Sequence, residues 1–192
     1  MTAEIMLRIE AAVKAGMKQM AAEGTMEGKE RISRQVGQQV GRIVLEEGLK
    51  ETQRGYEGPR RRCQRCGGQQ RYMGDRSRQV NTSVGPVRWK RAYYVCHGCG
   101  AVHYGGDKAL GIDRSGYSPL LQRYIAEACS MAPFRDGLSL IEDLTGTQVS
   151  LRAAEEIVRR RGGAMERVSR EAIEKLWAGE VEGVRRAGGR MY

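Results

Sequence analysis

Residues 63–67, Cys63-Gln-Arg-Cys66-Gly67, and residues 96–100, Cys96-His-Gly-Cys99-Gly100, decide how this 192-residue chain folds. A tight Cys-x-x-Cys turn offers two thiolates to one ion, and two such turns complete the tetrahedron of four ligands that zinc prefers. In each turn a glycine follows the second cysteine, where the chain must bend away from the metal. Four thiolates leave no open position for a catalytic water, so the expected Zn2+ is structural and the segment folds with it. His97 and His103 stand nearby as substitute ligands that a four-thiolate shell does not need. The fifth cysteine, Cys129 in IAEACSMA, falls at helical spacing and reads as a buried, inert thiol. An odd cysteine count with two tight pairs points to a reduced compartment and metal binding rather than to disulfides.

The 29 residues between the two turns contain QQRYM (69–73), RSRQVNTSV (76–84) and VRWKRAYYV (87–95), separated by Gly74-Asp75 and Gly85-Pro86. Short runs rich in Val, Thr, Tyr and Trp between such breakers read as strands and turns, giving a small three-stranded ribbon. Alternation along the last run places Val87, Trp89, Arg91, Tyr93 and Val95 on one face, with Arg88 and Lys90 on the other.

Charge is concentrated in the same place. The chain carries a formal +10. Residues 58–108 hold eleven basic side chains (Arg60, Arg61, Arg62, Arg65, Arg71, Arg76, Arg78, Arg88, Lys90, Arg91 and Lys108) against Asp75 and Asp107. The flanking segments are close to neutral, with nine basic and nine acidic residues before position 58 and thirteen against twelve after 108. So local an excess implies a polyanionic partner, and its arginines suit bidentate phosphate or guanine contacts. The expected partner is DNA, with Arg60, Arg61, Arg62, Arg65, Arg76, Arg78, Arg88, Lys90 and Arg91 as its contacts in this segment. An RNA-binding or protein-interaction module is the alternative.

Working outward, the N-terminal side predicts two amphipathic helices. Residues 3–22 place Ile5, Ile9, Val13, Met17 and Met20 on one face, and residues 26–50 repeat the pattern with Ile32, Val36, Val40, Ile43 and Val44. They are expected to form a hairpin over 1–54 that also supports a homodimer, with Gly37 and Gly41 placed to allow close helix approach. Gly55 to Pro59 reads as a linker. On the C-terminal side, Ser118-Pro119 opens a helix with Leu120, Leu121, Tyr124, Ile125 and Ala128 inward, ended by Met131-Ala132-Pro133. A second helix carries Leu138, Ile141 and Leu144 before Gly146. A third starts at Ser150, a good N-cap, and is predicted to stop at Gly162-Gly163, with a last helical stretch over 164–187. Three short helices with a glycine-containing turn before the third suggest a helix-turn-helix over 114–192. Ser150 and Arg152 would reach base edges, while Arg159 and Arg160 meet phosphates. The start MTAEIMLRIE lacks the apolar run of a signal peptide and no run of about 18 apolar residues occurs, so no membrane partner is expected and the chain reads as cytoplasmic.

The order CQRCGG, VGPVRWKRAYYVCHGCG and DKALGIDRSGYSPLLQRYIAEACSMAPFRDGLSLIEDLTGTQVS resembles the N-terminal half of insertion-sequence transposases of the ISKra type, over roughly residues 60–160. In that family a zinc-ribbon and helix-turn-helix region precedes an RNase H-like domain whose three acidic residues hold two magnesium ions. The resemblance assigns Cys63, Cys66, Cys96 and Cys99 to zinc and GTQVSLRAAEEI to DNA recognition. Ala153 and Ala154 depart from the Thr-Val pair that related motifs carry. The chain ends at GGRMY, where the first catalytic strand and its Asp would begin. The expectation is an α+β, mostly α protein that binds transposon-end-like DNA, with a helical hairpin (1–54), a zinc ribbon (58–108), a helix-turn-helix bundle and no catalysis of its own.

Overall fold

The structure, a computed structural model, describes residues 3–51 and 55–177. These form a mixed α+β fold: α1 (Ala3–Ala22), α2 (Met26–Glu51), β1 (Arg60–Arg62), β2 (Gln69–Thr82), β3 (Gly85–Cys96), β4 (Val102–Tyr104), α3 (Pro119–Met131), α4 (Phe134–Thr145) and α5 (Leu151–Trp177). The strands make one antiparallel sheet in the order β1-β2-β3-β4. Each cysteine turn is thus the link of a hairpin, the first between β1 and β2 and the second between β3 and β4.

Gly74-Asp75 is not a turn. β2 runs through it as one strand of 14 residues, and the register against β3 shifts between Tyr72 and Asp75. An extra residue of this kind bends a strand and sharpens its twist without ending it, so the predicted three-strand ribbon is a long hairpin flanked by two short edge strands. On β3, Val87 and Trp89 are buried as the alternation requires, but towards the second cysteine turn burial passes to Ala92, Tyr94 and Cys96 on the other face. The segment just before β1 covers that face. The Tyr94 hydroxyl accepts the Glu57 N–H at 2.8 Å and donates to the Gly58 carbonyl at 3.0 Å, satisfying a fully buried phenol.

α1 and α2 pair as a hairpin whose contact face differs from the expected one. Ile5, Ala12 and Gly16 face inward, whereas Val13 and Met17 are exposed. The close approach is at Gly16, where a Cβ would lie 2.2 Å from Val36 Cγ2. Small residues won the interface because they let the helices come together. Gly37 meets nothing, and Gly41 faces Val84 at the tip of the β2–β3 hairpin.

The C-terminal helices close on Leu121, Ile125, Cys129, Ile141, Ala154 and Ile157. Cys129 is buried as expected, and burial pushes its thiol pKa up. Leu120 and Leu144, expected inside, are exposed. Ser118 caps α3, accepting the Leu121 N–H, and Ser150 caps α5, accepting the Ala153 N–H at 3.3 Å. Gly146 ends α4 in the left-handed conformation, φ 64°. Gly162-Gly163 does not end a helix: α5 continues to Trp177. The remainder of the helical stretch expected up to 187 lies outside the described residues.

Candidate metal centre

Backbone hydrogen bonds shape the two cysteine turns alike. In the first, the Cys63 carbonyl accepts the Gly67 N–H at 3.0 Å and the Cys63 N–H reaches the Gly68 carbonyl at 2.7 Å. In the second, the Cys96 carbonyl accepts the Gly100 N–H at 2.9 Å and the Cys96 N–H reaches the Ala101 carbonyl at 2.9 Å. Gly67 (φ 74°) and Gly100 (φ 67°) take the left-handed conformation that lets the chain turn back, which is the role expected of them.

The β2–β3 pairing then brings the two turns face to face. Cys63 Sγ lies 3.7 Å from Cys99 Sγ, Cys66 Sγ lies 3.5 Å from Cys96 Sγ, and all four sulfurs fall within 4.8 Å of one another. A tetrahedral ion with bonds of about 2.3 Å separates its sulfurs by about 3.8 Å, whereas a disulfide needs about 2.0 Å. The cysteines are free, and their spacing fits a shared metal ion. No other cluster of His, Cys, Asp or Glu suited to a metal occurs among the described residues. His97 and His103 stay outside it. His103 packs against Tyr94, and burial and the neighbouring Arg61 lower its pKa although Glu57 opposes them.

Electrostatics agree with the geometry. The Cys66 and Arg65 amides donate to Cys63 and bring its thiol down to about 6. Cys99 receives the Ala101 amide, which lowers it, but the sulfurs of Cys66, Cys96 and Cys63 and its own burial push it up to about 12. Sulfurs this close cannot all ionise unless a cation sits among them. Buried Gln70 braces the cage from β2, its Nε2 donating to the Ala101 carbonyl at 3.2 Å. A Cβ on Gly68 would meet Cys66 Sγ at 3.4 Å, an ordinary van der Waals contact. Gln70 is not identifiable from the sequence, since its role depends on the strand pairing that brings the second turn near.

The basic residues divide by what they touch. Arg60, Arg62, Arg65, Arg76, Arg88 and Lys90 are exposed. Arg61 is largely covered, ion-paired to Glu57 at 2.7 Å beside the Tyr94 ring. Arg78 and Arg91 converge on Asp107, and Arg78 also donates to the Asp113 carbonyl. Arg88 and Lys90 line a cleft with Lys50 and Leu49 of α2, on the face away from Asp107. At the start of α5 and along it, Ser150, Arg152, Arg159 and Arg160 are exposed, and Arg160 also pairs with Asp113 at 2.8 Å and with Gln122 at 2.9 Å. Tyr104, just past the second turn, was missed by the strand reading. It pairs opposite Tyr93 on β4, and the alternation of Val102-His103-Tyr104 was the available signal.

No helix among the described residues is long and apolar enough to cross a membrane. No protein-family model, curated protein or solved structure matches this chain.

Proposed function

We propose that this chain is a DNA-binding protein in which Cys63, Cys66, Cys96 and Cys99 hold one structural zinc ion as a zinc ribbon. It serves as the targeting part of a transposase-like protein of the ISKra type, directed to transposon-end-like DNA. The observation that carries the reading is the pairing of arginines on the sheet that the cysteine turns hold together. Arg60 stands directly opposite Arg71, and Arg76 opposite Arg91. Like charges directly opposite one another destabilise a sheet, and Asp107 answers Arg91 and Arg78 but none of the exposed Arg60, Arg71 and Arg76. A surface that bears this cost is suited to a polyanion.

The ion, once bound, neutralises thiolate charge and ties the two hairpin links together; the four cysteines fill its shell, so its role is to hold the strands. The α4–α5 segment supports a helix-turn-helix reading. Gly146 turns the chain, Ser150 caps α5, and Arg152 on its first turn and Arg159 on its third lie exposed. The family resemblance over residues 60–160 supplies the transposon end as target. The exposed outer stripe of α1 supports a homodimer.

A mobility-shift assay with the zinc-loaded chain tests this reading. Terminal-repeat DNA should bind at least about tenfold more tightly than random duplex, and log affinity should fall with log salt by about 0.9 per neutralised phosphate. Cys96→Ser should release zinc, measured by elemental analysis, and abolish binding while the helical circular dichroism largely survives. Preference for structured RNA, an affinity indifferent to salt, or a folded and DNA-competent Cys96→Ser variant would each defeat the proposal.

A further inference from the structure

The sheet face opposite Tyr94 carries two neighbouring tyrosines flanked by two arginines. Strand register places them. Arg60 pairs with Arg71, Arg71 with Val95, Val95 with Val102, and Tyr93 with Tyr104, so these residues share a face with the pair Arg76 and Arg91. The Arg76 guanidinium sits 5.2 Å from the centre of the Tyr93 ring, Tyr93 lies 5.3 Å from Tyr104 with the planes 32° apart, and Arg91 backs Tyr104 at 3.7 Å.

Folding alone does not account for this arrangement. Tyr104 stands on the edge strand with 37% of its surface exposed, beside Val102 at 47%. Arg91 is fixed by Asp107 and holds the Tyr104 ring from one side, so the exposed part of an already oriented ring is what a ligand meets. An oriented aromatic flanked by cations is the arrangement on which nucleobases stack, since every base has a π-face and each phosphate needs a positive partner. Bases inside a duplex have both faces covered by their neighbours, so away from a duplex end the ring can take only a base that is unpaired.

We propose that this face binds an unpaired stretch of a DNA strand, one base stacking on Tyr104 while Arg60, Arg71 and Arg76 meet the flanking phosphates. The proposal rests on the DNA-binding reading above and names the form of DNA that the sheet takes: a single-stranded tail next to the duplex. Val95 and Val102, paired on the same face two positions from Tyr93 and Tyr104, have apolar side chains that offer a ribose 2′-hydroxyl no hydrogen bond, and DNA is chosen over RNA on that ground.

The test uses the zinc-loaded full chain and fluorescence polarisation, with one labelled duplex presented blunt-ended, with a dT tail, or with an rU tail. The dT tail should tighten binding by about fivefold or more, the range expected for stacking of a single base. Tyr104→Ala should remove that gain and keep blunt-end affinity within about twofold, and Tyr104→Phe should keep the gain. Where Tyr104→Ala disturbs the fold by circular dichroism, Arg76→Gln supplies the second reading, lowering the salt slope of the tail's contribution by about one. Equal affinity for tailed and blunt duplex overturns this inference and leaves the DNA-binding reading standing. No binding of either duplex overturns both, and a stronger gain from rU than from dT overturns the choice of DNA.

Discussion

Asp107 shows how a basic segment stays folded. Arg78, at 2.9 Å, and Arg91 both direct a guanidinium at its Oδ2, and the three side chains are 16%, 12% and 17% exposed for Arg78, Arg91 and Asp107. Its other oxygen, Oδ1, is buried without a hydrogen-bond partner among the described residues, so the carboxylate is retained for its charge. Removing one partner from a buried ionic cluster leaves the others uncompensated, which costs about 3–5 kcal/mol. Asp107→Asn should therefore lower the unfolding free energy by that order in urea melts, with zinc retained in the folded protein. A loss below about 1 kcal/mol would show that water screens the two arginines. The four-cysteine cluster was legible from its spacing because two tight Cys-x-x-Cys turns in one chain have few uses other than to meet around a metal ion. Asp107 was not, because its partners are 29 and 16 residues away and only strand pairing brings them together.

Elements whose glycines look alike in sequence behave differently. Gly146 adopts a left-handed conformation and ends α4, whereas Gly162 and Gly163 are not among the positive-φ glycines and α5 passes through them. The residues on the C-terminal side of each glycine make the difference: Thr147 to Ser150 leads into a new N-cap, while Ala164, Met165, Glu166 and Arg167 are helix formers that outweigh a cost of about 1 kcal/mol per glycine. Gly74 misled in the same direction, since a bulge and a turn share the same residue preference and β2 runs on through it. The loop before α3 holds its own clasp. Asp113 accepts from the Ser115 N–H at 2.8 Å and from Gln122 Nε2 at 3.2 Å, and pairs with Arg160 of α5. Burial alone would raise its pKa, but the Ser115 hydrogen bonds, Arg160 and Gln122 together hold the carboxyl below its ordinary value. A carboxyl depressed in the folded state stabilises fully above its unfolded pKa of about 3.9 and loses that contribution as pH falls through the lower folded value. Thermal melts from about pH 6 down to about pH 2 should show Asp113→Asn less stable than the parent at the upper end, the two converging towards the lower end. Parallel curves across the range would remove Asp113 as a source of acid sensitivity.

At the scale of the whole molecule, the segments that composition separates are tied at the tip of the β2–β3 hairpin. Asn81 exchanges backbone hydrogen bonds with Gly116 and Ser118, the Thr147 hydroxyl donates to the Thr82 carbonyl at 3.2 Å, and Gln38 of α2 reaches the Leu144 carbonyl at 3.4 Å. Charge and glycine content located the segments, but contacts of such sequence separation leave no local pattern, so their joining could not be read in advance. The expected contact face of α1 failed for a related reason: periodicity marks apolar residues without saying which of two adjacent stripes meets α2. The outcome leaves Met6, Val13 and Met17, spaced seven and four apart, exposed beside the α1–α2 contact, with Val13 at 42% and Met17 at 60%. That spacing is the seam of a two-helix contact, and a second copy offers the same seam to it. A dimer formed there would place two basic sheets on one DNA, raising effective concentration without new base contacts. Light scattering on the zinc-loaded chain should give twice the chain mass at micromolar concentration. Val13→Glu combined with Met17→Glu should give a single-chain mass with unchanged helical circular dichroism, because neither side chain contributes to the intrachain core, and a melting temperature that no longer rises with protein concentration. A parent protein already at single-chain mass would exclude the dimer, and a double variant that still dimerises would move its interface off α1.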